Sequence, residues 1–213
     1  MPPRFDLSLY LVTDPDMTAR RGLVETVREA VAGGVTVVQL RDKTTSARAL
    51  AEVGRALLAV LRPLGVPLLV NDRIDVAHAI SADGVHIGQE DLPPAAARTI
   101  LGPQAIIGLS ITRADELATI DAAVDYVGLG PLYPTGTKPD AAPALGEAEF
   151  AAIRRRLSVP VVAIGGINLA NTARTLAAGA DGIAVVSAIC AASDPRAAAE
   201  KLRAAIAAAR PRG

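Results

Sequence analysis

The stretch VTVVQLRDK, residues 35–43, decides the fold. It opens with β-branched apolar residues, as a buried strand does, and then places Gln39, Arg41 and Lys43 at alternate positions. Side chains alternate across a strand, so Val35, Val37, Gln39 and Arg41 share one face while Val38 and Leu40 share the other. One face therefore runs from apolar to cationic. What that cationic end faces depends on the elements that flank it.

Similar runs recur along the chain: SLYLVT, PLLVND, GVHIG, IIGLSI, YVGLGPL, VPVVAIGG and GIAVVSAI. Between them lie segments with helical spacing, such as RRGLVETVREAVAGG, where Leu23, Val27, Ala30 and Val31 form one stripe. The others are ARALAEVGRALLAVL, RIDVAHAI, PPAAARTIL, RADELATIDAA, EAEFAAIRRRL, NLANTARTLAAG and PRAAAEKLRAAIAAAR. Pro93 and Pro195 stand where helices begin, Gly33 and Gly179 where they end. SADGVHI and GADGIAV echo one another, each leading from a helix into a strand. Eight strand–helix alternations with short connections predict a parallel sheet, and in 213 residues a closed (β/α)8 TIM barrel fits better than an open one. A doubly wound open sheet is the alternative. No linker or second composition regime interrupts the pattern, which predicts one domain over residues 1–213.

Composition narrows the function. Hydrophobic residues make up 51% and aromatic residues 2%, with no Trp, so the core is built from Val, Ile, Leu and Ala. Basic and acidic residues balance at 22 each, without long runs of one sign, which argues against a nucleic-acid partner. No stretch approaches the roughly 18 apolar residues of a membrane span, and a cytoplasmic protein is expected. Cys190 is the only cysteine, which excludes an internal disulfide and a zinc–thiolate cluster within the chain.

Barrels of this type bind ligands at the C-terminal strand ends. Those ends carry Gln39, Arg41, Asp42 and Lys43, then Asn71 and Asp72, then Gln89, Glu90 and Asp91, then Ser110. Thr135, Thr137 and Lys138 follow the sixth strand, Gly165 and Gly166 close the seventh, and Val186 and Ser187 end the eighth. Cations and carboxylates around one mouth suit a phosphorylated ligand with Mg²⁺, which takes one or two carboxylates plus phosphate oxygens. Asp72 and Asp91 fit that role, with Arg41, Lys43 and Lys138 as counter-charges. Charges that merely pair with one another at the rim explain the pattern equally well. The Gly165–Gly166 pair and the VVSAI run occupy the positions where such barrels hold phosphate, although Gly-Gly also serves as a tight turn. The Pro-, Gly- and Thr-rich segment 131–146 is too long for a minimal turn and reads as a functional loop. His78 falls in a helical stretch, and His86 reads as a satisfied interior histidine rather than a base. No metalloprotease or dinucleotide motif is present.

In order along the chain, LYLVTD, VQLRDK, LLVNDRIDVA, ADGVHIGQEDLP, IIGLSI, VGLGPLYPTGTK, VVAIGGI and GADGIAVVSAI resemble the thiamine phosphate synthase family over essentially the whole length. The resemblance implies an Mg²⁺-dependent transferase of the cytoplasm. It would join 4-amino-2-methyl-5-(hydroxymethyl)pyrimidine diphosphate to 4-methyl-5-(hydroxyethyl)thiazole phosphate, or its 2-carboxy form, releasing pyrophosphate through a pyrimidine-methylene cation. It implies that Gln39, Arg41, Lys43, Asn71, Ser110 and Lys138 contact the pyrimidine diphosphate, with Arg41, Lys43, Ser110 and Lys138 as the catalytic groups. Asp72 and Asp91 would hold the metal, and Thr135, Thr137, Gly165, Gly166, Val186 and Ser187 the thiazole phosphate. RDK stands where many members have REK, and Pro139 follows Lys138 where a polar residue is common. The related thiazole tautomerases use a histidine just after the strand-five serine, where this chain has Thr112. A silent phosphate-binding regulator would not need the cations and aspartates of a leaving-group site. The sequence leaves open whether the chain forms a homodimer.

Overall fold

The apolar runs form eight short strands: β1 (Leu9–Val12), β2 (Val37–Leu40), β3 (Leu68–Asn71), β4 (Gly84–Ile87), β5 (Ile106–Ile111), β6 (Tyr126–Leu129), β7 (Val161–Ala163) and β8 (Gly182–Val185). The structure is a computed structural model that describes residues 5–136 and 142–209. Every neighbouring pair of strands is parallel, and β1 pairs with both β2 and β8, so the sheet closes on itself in chain order. The helices are α1 (Pro15–Thr18), α2 (Leu23–Ala32), α3 (Ala47–Leu61), α4 (Ile74–Ile80), α5 (Pro94–Leu101), α6 (Gly146–Arg154), α7 (Thr172–Ala177), α8 (Ser187–Cys190) and α9 (Pro195–Ala209). This is the (β/α)8 barrel that the eight alternations predict.

Alternation sorts the strand side chains into two separate cores. Leu9, Leu11, Val38, Leu40, Leu68 and Val70 point outward against the helices. Tyr10, Val12, Val37, Leu69, Tyr126, Val162 and Ala184 fill the barrel interior. The strand β2 ends at Leu40, so Arg41 and Lys43 lie in the following loop and strand alternation stops short of them.

The ADG echoes have a physical origin. Thr36, Asp83, Asp125 and Asp181 each precede an even-numbered strand, and each side-chain oxygen accepts a backbone N–H at the start of the odd-numbered strand before it. The donors are Leu9 (3.1 Å), Leu68 (2.8 Å), Ile107 (2.8 Å) and Val161 (2.8 Å). Four strand starts that would otherwise leave donors without partners are thereby satisfied. The glycines of the echoes answer to close strand approach. A Cβ on Gly84 would fall 1.9 Å from the Ile106 carbonyl oxygen, and one on Gly182 1.8 Å from that of Leu7.

One expected helix is absent. The RADELATIDAA segment forms a 3-10 turn over Ala114–Thr119, because the Glu116 carboxylate folds back onto the N–H groups of Thr112 and Arg113. Asp121 then accepts the Ala123 N–H in a side-chain turn, a local bond that competes with helix continuation.

Candidate active site

The C-terminal strand ends surround a cavity of about 210 Å³. From the predicted set, Gln39, Lys43, Asn71, Ser110, Thr135, Gly165, Gly166, Val186 and Ser187 line it. Tyr10, Val12, Tyr126, Val162, Ile164 and Ala184 form its floor and walls. Arg41, Asp72 and Asp91 stand outside this lining. Thr137 and Lys138 lie outside the described residues.

At the rim, Lys43 Nζ sits 3.7 Å from Asp72 Oδ2. Asp72 adopts a left-handed backbone (φ 59°), a conformation Asp tolerates better than most residues. Its carboxyl stands beside that of Asp91, on the next β-α loop. Burial first, and the Asp91 charge second, push the Asp72 carboxyl above the usual carboxylate range, and Lys43 opposes this. Asp91 is itself fixed by accepting the Gly88 N–H at 2.7 Å. Two neighbouring carboxyls, one destabilised as an anion, form a donor set suited to a hard divalent cation that completes its shell with phosphate and water. The Arg41 backbone N–H donates to Thr13 Oγ1, while its side-chain Nε is buried with no hydrogen-bond partner among the described residues.

Across the mouth, Gly165 (φ 96°) and Gly166 (φ 65°) turn the chain sharply after β7. A Cβ on Gly165 would lie 2.4 Å from Pro131 Cβ, and one on Gly166 2.6 Å from the Pro134 carbonyl oxygen. Backbone bonds from Leu132 to Ile164 O (2.8 Å) and from Tyr133 to Gly165 O (3.0 Å) clamp this turn to the loop after β6. The pair is therefore required by the turn and its packing, and it also presents bare backbone to the cavity. The ends of the 131–146 segment are tied together by Leu145 N–H to Pro131 O (2.9 Å) and Gly146 N–H to Leu132 O (3.0 Å).

The barrel floor holds a feature that composition could not reveal. Gln39 Nε2 donates to the Tyr10 hydroxyl (2.7 Å), which meets the Tyr126 hydroxyl (2.8 Å). Tyr126 meets His86 Nδ1 (2.8 Å), and His86 Nε2 meets Ser110 Oγ (2.8 Å). Ser110 and His86 are 24 positions apart in sequence, and the parallel pairing of β4 with β5, with His86 opposite Gly108, makes them neighbours. The alternate glycines of GLGP and IIGLS could have signalled it, since they hollow the interior for these rings. A Cβ on Gly108 would lie 2.2 Å from Tyr126 Cζ, and one on Gly128 2.8 Å from His86 Cε1.

Thr112, also on the cavity wall, donates its hydroxyl to Glu116 and is thereby engaged away from acid–base work. Cys190 is buried, its Sγ 3.6 Å from the Val12 carbonyl oxygen, and burial pushes its thiol up to about 12. Among the described residues, no group of three His, Cys, Asp or Glu side chains is arranged to hold a metal, and no helix is long and apolar enough to cross a membrane.

A model of the family described as thiamine monophosphate synthase matches residues 9–189. The thiamine-phosphate synthase of Azorhizobium caulinodans is 58% identical over 204 residues, covering 95% of this chain and 96% of that one. That of Xanthobacter autotrophicus is 57% identical, covering 99% and 100%. Among solved structures, thiamine phosphate pyrophosphorylase from Pyrococcus furiosus superposes with a TM-score of 0.87 at 40% identity, covering 96% of this chain and 97% of that one. A 3-hexulose-6-phosphate synthase shares the fold alone, at 19% identity and a TM-score of 0.68. With most of its length matched at this level, the chain belongs to the thiamine-phosphate synthase family of transferases.

Proposed function

We propose that the chain joins an aminopyrimidine-methyl diphosphate to a thiazole phosphate, releasing pyrophosphate and forming thiamine phosphate. The observation that carries this reading is one cavity with two polar ends. Gln39, Lys43, Asn71 and Ser110 stand at one end, and Gly165, Gly166, Val186 and Ser187 at the other. Val162, Ile164 and Ala184, on or just after β7 and β8, give the same cavity an apolar stretch of wall. Such a site suits two anionic ligands that meet over a dry surface, which fits a bond-forming step that must avoid water.

In this reading the pyrimidine lies between Gln39, Asn71 and Ser110, its diphosphate extends toward Lys43 and the Arg41 Nε, and Lys138 adds a further counter-charge. Asp72 and Asp91 would hold Mg²⁺ beside that diphosphate, where the metal supplies positive charge to the leaving group. The C–O bond at the exocyclic methylene breaks and its electron pair departs with the diphosphate. The electron-rich aminopyrimidine carries the resulting cation until the thiazole nitrogen captures it. Lys43, Arg41 and Lys138 stabilise charge that grows as the bond breaks, so their effect falls on the transition state more than on binding. The attacking nitrogen carries no proton. A general base is therefore unnecessary, which suits a cavity where Thr112 is already bonded to Glu116.

The test is a coupling assay on purified protein with both substrates, with and without Mg²⁺, following pyrophosphate and thiamine phosphate in parallel. Both products should appear in equal amounts and only with the metal. In Asp91→Ala the rate should fall by about 100-fold or more, as loss of several kcal/mol of leaving-group stabilisation requires. Binding of the thiazole phosphate without coupled product would overturn this function.

A further inference from the structure

The floor network has a direction. The Gln39 amide nitrogen facing Tyr10 can only donate, so the Tyr10 oxygen accepts there and turns its own hydrogen toward Tyr126. Tyr126 in turn accepts from Tyr10, and its hydrogen goes to His86 Nδ1. A ring nitrogen that accepts has no proton, so the proton of a neutral His86 resides on Nε2 and is donated to Ser110 Oγ. Ser110 thereby receives one hydrogen bond, and its own O–H is left for the cavity it lines.

We infer that Tyr10 and Tyr126 are positioning residues that hold His86 in its Nε2–H tautomer, so that Ser110 offers its hydroxyl hydrogen to an acceptor of the bound pyrimidine diphosphate. The ligand in this statement rests on the function proposed above; the polarity of the chain does not. The opposite polarity would make His86 an acceptor toward Ser110, the arrangement of a nucleophile and its base. The two polarities thus assign Ser110 opposite roles. The Gln39 amide nitrogen supports the first, and burial makes both phenols weaker acids, which keeps the O–H groups the chain needs intact at ordinary pH. The interior is also shaped for these rings, because side chains at Gly108 or Gly128 would strike them.

The chain has two histidines, which makes the tautomer directly readable. In protein labelled with ¹⁵N-histidine, His86 is distinguished from the exposed His78 by a His78→Gln variant. The ring nitrogens of His86 should report a neutral imidazole protonated at Nε2. Tyr126→Phe, which keeps the ring and removes its hydrogen-bonding oxygen, should mix the tautomers without unfolding the protein. It should lower kcat by roughly 10–100-fold, the range for losing an orienting partner, with KM little changed. In a Ser110→Ala background the same substitution should cost nothing further, which a merely structural role would not produce. Tyr10→Phe leaves the Tyr126–His86 bond available and should cost less. A wild-type His86 protonated at Nδ1 or at both nitrogens would overturn the inference. An undiminished cost of Tyr126→Phe in the Ser110→Ala background would do the same. If the wild type failed to couple the substrates, the proposed function would fall, and the tautomer measurement would still decide the polarity of the chain.

Discussion

Asp72 and Asp91 place two carboxyls side by side, with Lys43 and an Asn71 hydrogen bond opposing the repulsion at Asp72. A carboxyl raised above its ordinary range contributes stability that is full below that range and is lost as pH rises through its folded value. At neutral pH the metal-free protein therefore carries a local repulsion. Asp91→Asn keeps an oxygen for the Gly88 N–H and removes the charge. In EDTA it should stabilise the fold by no more than about 1 kcal/mol, the scale of partly exposed charge pairs, while coupling activity collapses. Thermal melts with and without Mg²⁺ would check this, and an unchanged or lowered Tm in EDTA would contradict it. Lys43, Asp72 and Asp91 were legible as a strand-end group in the sequence. Their mutual distances were not, because loop residues follow no periodicity.

At the level of elements, the strand starts are held by side chains from the loops before β2, β4, β6 and β8. Asp125 has the strongest partner, the Arg98 guanidinium at 2.7 Å, and Arg98 also bonds the Ala123 carbonyl (2.8 Å) and that of Ala105. Asp125→Ala removes the acceptor of the Ile107 N–H and strips Arg98 of its carboxylate. The loss should be about 1.5–3 kcal/mol, the range for hydrogen bonds to charged groups, read from urea denaturation with the slope unchanged. A change below about 0.5 kcal/mol would place it among ordinary surface substitutions and remove the argument. The repeated ADG pattern was visible in the sequence as an echo. Its cause was not, since the accepting oxygen and the donating N–H belong to different β-α units.

For the whole molecule, closure brings α9 against α2 and sets Arg203 3.6 Å from Asp6. Gly33, at the end of α2, lies so close to α9 that a Cβ would fall 2.3 Å from the Arg196 carbonyl oxygen and 2.8 Å from Ala199 Cβ. Its φ of −84° suits any residue, so the constraint is steric alone. Gly33→Ala should destabilise the barrel by about 1–3 kcal/mol as α9 shifts, measured by equilibrium unfolding. A neutral result would mean that α9 is free to move. The sequence by itself determined the number and order of the β-α units, the two faces of each strand and the polar residues at the strand ends. These depend on period-two alternation and on turn residues, which are local. The tertiary structure alone decided that β1 meets β8, that Tyr10 bonds a tyrosine 116 positions away, and that Ser110 meets His86. Alternation says that a side chain points inward, whereas its neighbours across the barrel are fixed by closure and strand register, which no local stretch encodes.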